Sequence, residues 1–230
     1  MVSVEDYLKG RVILIDKPLE WTSFQVVNKM RWAIRKTFNL KKIKVGHAGT
    51  LDPLATGLLI ICTGKKTKEI SIYQGQEKEY TGTIRLGATT PSYDLETEID
   101  AEFETSHITT EAIHDATKRF LGLIEQYPPI FSAVKKDGKR LYEFARANES
   151  VEIKPRQIEI SSFEITEING LDVNFRVCCS KGTYIRSLAH DFGKALKSGA
   201  HLTALRRTAI GDFKIEDAQT LDGFLSSLES

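Results

Sequence analysis

The sequence has little of what would place a chain in a membrane or a disulfide scaffold. No stretch reaches the ~18 uninterrupted apolar residues of a membrane-spanning helix. The opening residues MVSVEDYLKG have neither the basic start nor the apolar stretch of a secretory signal. Only three cysteines occur, Cys62, Cys178 and Cys179, and two are neighbours. That spacing excludes a disulfide framework and a CxxC zinc site, and the expectation is reduced thiols in a cytoplasmic protein without a membrane segment. Internal repeats and low-complexity linkers are missing too. With 41% hydrophobic and 27% charged residues, the 230-residue chain has the composition of a globular protein, which excludes wholesale disorder and a fibre.

Several chemical signatures are also missing. Gly64-Lys65 beside Thr67 suggests a phosphate loop, but GxxxxGK followed by Ser or Thr needs glycine at position 59 and a hydroxyl at 66, where Leu59 and Lys66 stand. The five histidines, His47, His107, His114, His190 and His201, have no HxxxH or HExxH spacing, and no GxSxG elbow occurs. With no dinucleotide fingerprint either, the expectation is a protein needing neither metal nor cofactor.

Charge is nearly balanced overall, at +1, but unevenly distributed. Lys29, Arg31, Arg35, Lys36, Lys41, Lys42 and Lys44 form a run of seven bases without an acid. Asp94, Glu96, Glu98, Asp100, Glu102 and Glu104 form an acidic run without a base. Such segregation suits a molecule with one phosphate-facing side, and equally a pair of solvated faces.

Residues 11–15 read as a strand ending at Asp16-Lys17-Pro18. Thr22 to Gln25 fits a capping box, followed by Val26, Val27, Met30, Ile34 and Phe38 at helical spacing, with the bases opposite this core face. Residues 46–57, with three glycines and a proline, read as loop, and 58–62 as a buried strand. Alternation around Tyr80, Gly82, Ile84 and Leu86 predicts another strand. A helix with Ile113, Ala116, Phe120 and Leu121 inward is expected to run until just before Pro128-Pro129. Leu171, Val173, Phe175, Val177 and Cys179 alternate with polar neighbours, and after a turn Ile185, Leu188, Ala189, Phe192 and Leu196 form a helical apolar stripe. Strands and helices mix without βαβ order. The expected class is α+β, a mixed, largely antiparallel central sheet flanked by helices, with residues 1–230 forming one domain.

The loop GHAGTLDPLATG sets one carboxylate, Asp52, between a basic helix and a buried strand. Proline after Asp52 favours an extended backbone there, and the glycines admit close approach of another chain segment. Asp52 is therefore a candidate nucleophile or base, or alternatively the cap of a turn.

At this loop the sequence resembles the TruB family of tRNA pseudouridine synthases. The resemblance continues through Asp16-Lys17-Pro18 with Thr22-Ser23, Lys78-Glu79-Tyr80 with Leu86-Gly87, QYPPIFSAVK (126–135) with Gly138 and Leu141-Tyr142, SKGTYIR (180–186) and LTALRR (202–207). It implies the pseudouridine synthase catalytic fold and isomerisation of uridine 55 in the tRNA T loop. Asp52 is then the catalytic aspartate, attacking C1′ or assisting glycal formation. Arg186 is implied to pair with that carboxylate and keep it ionised. Tyr80 is implied to stack on the base near C5, Tyr184 and Leu202 to line the uracil pocket, and His47 to occupy the stack vacated by the flipped base. Without the family, Tyr80 and Tyr184 read equally as core aromatics and Arg186 as a helix-surface charge. Lys41, Lys42 and Lys44 are candidate phosphate contacts.

Three departures stand out. Glu20 occupies a position that is usually glycine in the family. Residues 88–94 (ATTPSYD) replace the usual TDTxD, implying a different RNA-contacting insertion. Only about seventeen residues follow Phe213, so the expectation is a catalytic domain without the usual C-terminal PUA domain. The expected partner is tRNA, bound by a monomer with no obligate protein partner. The competing readings are a guide-RNA synthase of the same chemistry, which would need a PUA domain, and a non-catalytic RNA-binding protein, which would not need Asp52, Tyr80 and Arg186 together.

Overall fold

The computed structural model describes residues 2–228 apart from Ala133, Asp137 and Asn148. Ala133 of the QYPPIFSAVK block therefore lies outside the described residues. The principal elements in chain order are β1 (Val12–Lys17), α1 (Ser23–Thr37), β2 (Val45–His47), β3 (Ala55–Thr63), β4 (Lys78–Leu86), α2 (Thr110–Thr117), β5 (Gly122–Gln126), β6 (Arg156–Asn169), β7 (Asp172–Cys179), α3 (Ile185–Ala195), β8 (Ala200–Ile210) and α4 (Leu221–Ser226). This is the expected α+β mixture. Among the described residues no helix is long and apolar enough to cross a membrane.

The chain divides into two compact units, residues 1–80 with 205–230, and residues 81–204. In the first, β3 pairs antiparallel with β1 along one edge, Val12 opposite Cys62 and Lys17 opposite Gly57. Its other edge is shared. β2 runs antiparallel to its end, His47 opposite Ile61, and β8 runs parallel to its start, Leu205 opposite Ala55. β3 is covered on both faces, which accounts for its unbroken apolar run. Leu59 and Ile61 join Val26, Val27, Met30 and Ile34 of α1 and Phe224 of α4, while Leu58, Ile60 and Cys62 join Ala48 and Ile210. The α1 capping box forms as predicted: the Gln25 N–H donates to Thr22 Oγ1 at 3.1 Å, and the Thr22 N–H donates to Gln25 Oε1 at 2.7 Å. Of the α1 bases, Lys29, Arg35 and Lys36 are exposed as expected. Arg31 instead turns inward, donating to Asn28 and to the Val45 carbonyl.

In the second unit the strand order is β4, β7, β6, β5. β6 is antiparallel to both β7 and β5. The alternation is realised within β7, where Val173, Phe175, Val177 and Cys179 are buried, whereas Leu171 precedes the strand and is 37% exposed. α3 buries the stripe Ile185, Leu188, Ala189 and Phe192, and Phe192 packs on Phe163 at 5.5 Å between centroids.

Two readings are corrected. The glycine-rich segment is loop only over 48–54, because its ends zip into β2 and β3, with glycines 46 and 57 inside strands. The second predicted helix ends at Thr117 with a 3-10 turn to Phe120, and β5 precedes the prolines. Leu121 is 46% exposed rather than inward. The apolar spacing continues across the start of a strand, and Gly122, at φ 83, marks the break.

Candidate active site

The shared edge of β3 explains where Asp52 lies. β2 leaves that edge at His47 and β8 joins it at Leu205, so residues 48–54 bridge the change of partner and carry Asp52 half-buried. The loop is fixed through its main chain by groups distant in sequence. Ser23 Oγ accepts from the Leu51 N–H at 2.9 Å and donates to the Leu51 carbonyl at 3.2 Å. The Glu20 N–H donates to the Pro53 carbonyl at 2.8 Å. Arg207, 1% exposed, donates through Nε to the Leu58 carbonyl at 2.8 Å and through its guanidinium to the Gly49 carbonyl at 3.1 Å.

Lys17 is the second buried cation of this loop. Its Nζ donates to the carbonyls of Trp21 at 2.6 Å, Pro18 at 2.8 Å and Pro53 at 3.4 Å. Burial lowers its pKa to about 8, against an upward pull from the Asp52 carboxylate. Asp52 is thus half-buried, with the Lys17 ammonium interacting electrostatically with its carboxylate. Burial also lowers the pKa of His47, favouring a neutral, stackable imidazole. Tyr80, at the end of the first unit, is 8% exposed. Lys41, Lys42 and Lys44 are exposed between α1 and β2, alternating with the buried Ile43.

The second unit holds the other candidates. Arg186 is not a surface charge: it is 4% exposed, on the inner face of α3. Its guanidinium donates to the Ser92 carbonyl at 3.4 Å, and Nε lies 3.6 Å from the Asp94 carboxylate. Tyr184, just before α3, is held through its main chain: its N–H donates to Gln126 Oε1 at 2.8 Å, and its carbonyl accepts from Gln126 Nε2 at 3.0 Å. Leu202 is buried in β8, and its N–H donates to the Tyr93 carbonyl at 2.9 Å. In this unit, residues 92–94 link Arg186 to Leu202.

Sequence reasoning missed Asp94, Arg207 and the bracing role of Lys17. Asp94 opens an acidic run that reads as a solvated face, yet it is 6% exposed. Its signal was position, between an aromatic and a leucine rather than among polar residues. Arg207 and Lys17 lie in quoted motif blocks, but nothing local says that a cation there is buried. Among the described residues no group of three or more His, Cys, Asp or Glu side chains could hold a metal ion.

A family profile described as the N-terminal domain of TruB family pseudouridylate synthase matches residues 35–185. A second, described as the tRNA pseudouridylate synthase B C-terminal domain, matches residues 186–229. Their boundary falls inside α3 and does not coincide with the boundaries of the compact units. A curated tRNA pseudouridine synthase B of Flavobacterium johnsoniae is 63% identical over 226 residues, 98% of this chain and 99% of the relative. That of Phocaeicola vulgatus is 57% identical over 219 residues, 95% of this chain and 93% of the relative. Among solved structures, a Cbf5-Nop10-Gar1 complex matches at 34% identity and a TM-score of 0.72, covering 98% of this chain. An H/ACA RNP bound to a substrate RNA containing 2′-deoxyuridine matches at 32% and 0.70, also over 98% of this chain. The chain spans only 56% and 55% of those two solved chains.

Proposed function

We infer that this chain, which belongs to the TruB family of pseudouridylate synthases, isomerises uridine 55 of the tRNA T loop to pseudouridine with Asp52 acting at the reacting sugar. The reaction breaks the N-glycosidic bond, turns the uracil, joins its C5 to C1′, releases the C5 proton and protonates the freed N1, with no net redox change. What supports the assignment to Asp52 is the way its loop is held. Lys17, Glu20, Ser23 and Arg207 all grip main-chain atoms, and the Asp52 carboxylate interacts electrostatically with the buried Lys17 ammonium. A carboxylate so held suits nucleophilic attack on C1′ and equally charge stabilisation on a glycal route.

Tyr80, Arg186, Tyr184, Leu202 and His47 take the roles assigned by family resemblance, and Lys41, Lys42 and Lys44 supply phosphate contacts. Residues 1–230 work as one catalytic domain, monomeric and cytoplasmic, on the T arm of tRNA. The near end-to-end match to tRNA pseudouridine synthases B, against little more than half the length of the H/ACA chains, favours tRNA as substrate over a guide-RNA particle.

Asp52→Asn tests the reading. The amide keeps the volume and loses the charge, so the variant should melt like wild type and bind tRNA within roughly tenfold, ~1.4 kcal/mol. Pseudouridine formation, followed by tritium release from uridine C5, should fall below detection. Full yield from the Asn variant would overturn the assignment, and an unfolded variant would return Asp52 to the role of turn cap.

A further inference from the structure

Tyr93 stands in the block where this chain departs from its family pattern, and its conformation is unusual. Its φ is +65°, a left-handed value that costs a bulky L-residue roughly 1–2 kcal/mol and persists only where surroundings enforce it. Its N–H donates to the Thr90 carbonyl, and its ring lies on the His190 imidazole, centroids 3.9 Å apart and planes within 12°. His190 follows Arg186 by one helical turn on α3, so the two side chains share a face. His190 Nδ1 is buried without a hydrogen-bond partner among the described residues, so at that atom no hydrogen bond competes with the stack in setting the ring plane. Burial lowers the imidazole pKa to about 4, so two neutral rings meet.

The residues flanking Tyr93 in sequence both face Arg186, through the Ser92 carbonyl and the Asp94 carboxylate. The Tyr93 carbonyl itself accepts from Leu202. We propose that Tyr93 is a positioning residue: clamped on His190, it presses residues 92–94 onto α3 so that Ser92 and Asp94 aim the Arg186 guanidinium and Leu202 keeps its place. The proposal rests on the catalytic reading of Arg186. The left-handed residue stands between residues 92 and 94, and both of these reach the same guanidinium.

The test is single-turnover tritium release from tRNA labelled at uridine C5, using the full chain. Tyr93→Phe and His190→Phe keep a stacked ring pair and should retain wild-type rates. Tyr93→Ala and His190→Ala should each slow the saturating single-turnover rate roughly ten- to a hundredfold, the scale of an ångström-level misplacement, with the half-saturating enzyme concentration little changed, and the double variant should be no slower than either single. Tyr93→Gly relieves the left-handed backbone while removing the ring, so its loss of rate with an unchanged melting temperature separates positioning from folding. In an Arg186→Gln background, Tyr93→Ala should add nothing. A wild-type single-turnover rate in Tyr93→Gly, or additive losses with Arg186→Gln, would overturn the proposal while leaving the role of Arg186 intact. An Arg186→Gln variant at wild-type rate would instead remove the reading on which it rests.

Discussion

Two irregular segments, residues 48–54 and 90–94, carry carboxylates in this molecule and are held in opposite ways. The first is gripped from outside by Lys17, Glu20, Ser23 and Arg207, and none of those hydrogen bonds falls on the Asp52 side chain. The second is tied largely by its own side chains. Thr90 and Ser92 hydroxyls donate to the Asp94 carbonyl at 2.7 and 3.2 Å, and the Asp94 carboxylate accepts from the Glu96 N–H at 3.0 Å. A loop fixed by its backbone can present its acid to substrate, whereas an acid that serves as a fixing point is committed to structure. On the proposed reading of Asp52, the same residue type has two duties, one toward substrate and one within the fold.

The largest difference between the two segments is expected at Asp94. Replacing it by alanine removes a carboxylate from a buried guanidinium and an acceptor from its own loop. The expected loss is about 3 kcal/mol, the lower end for breaking a buried ion pair, read as a lower urea midpoint. Asp52→Asn, in contrast, should leave the midpoint in place. Equal midpoints for Asp94→Ala and wild type would mean that both acids are equally dispensable to the fold.

Lys17 sharpens the account of the first loop through pH. Its folded pKa of about 8 lies below its ordinary 10.5, so between these values the unfolded chain holds a proton that the folded chain has released. Stability therefore rises with pH across that window through Lys17, and below about pH 8, where both states are protonated, this contribution is flat. Catalysis should move the other way, slowing above about pH 8 as the cation beside Asp52 is neutralised. Urea midpoints and single-turnover rates on wild type and Lys17→Met separate the two trends. A methionine variant with the wild-type pH dependence in both would assign the titration elsewhere.

Much of this was legible in the sequence because the responsible forces are local or periodic. The α1 capping box, the β7 alternation and the α3 stripe each follow from neighbours within a few residues, and each is found where read. The Asp52 loop announced itself through glycine, proline and one acid. What was not legible depends on distant partners. Arg207 reaches the loop only because β8 pairs with β3. Asp94 is buried only because α3 brings Arg186 to it. The misplaced helix end at Leu121 has the same origin: β5 exists because β6 offers it an edge some thirty residues later, from Arg156 onward.

Cations in the first unit divide as the loops do. Lys17 and Arg207 are buried and donate to carbonyls, while Lys41, Lys42 and Lys44 stand in solvent. If the exposed set faces phosphate, converting all three to glutamine should reduce the slope of log affinity for tRNA against log salt by about 2, at about 0.7–0.9 per lost contact. The melting temperature should not move. An unchanged slope would assign these lysines to a solvated face.

The smallest expected effect concerns the other strained residue beside a site segment. Glu20 has φ +64°, nearly that of Tyr93, but its side chain is exposed and its contribution to the Asp52 loop is a main-chain N–H on Pro53. Glycine, which the family usually has here, adopts this backbone without a Cβ clash and can make the same hydrogen bond. Relief of about 1–2 kcal/mol is partly offset by the greater freedom of glycine in the unfolded chain, about 0.5–1 kcal/mol. Glu20→Gly should therefore raise stability by about 0.5–1 kcal/mol, a gain of roughly 1–4 °C in melting temperature for a chain of this size, with pseudouridine formation unchanged. Tyr93→Gly makes the same backbone change but loses an aromatic stack, so it should gain nothing in stability. Equal gains at both positions would show that the ring on His190 contributes nothing to holding residues 92–94.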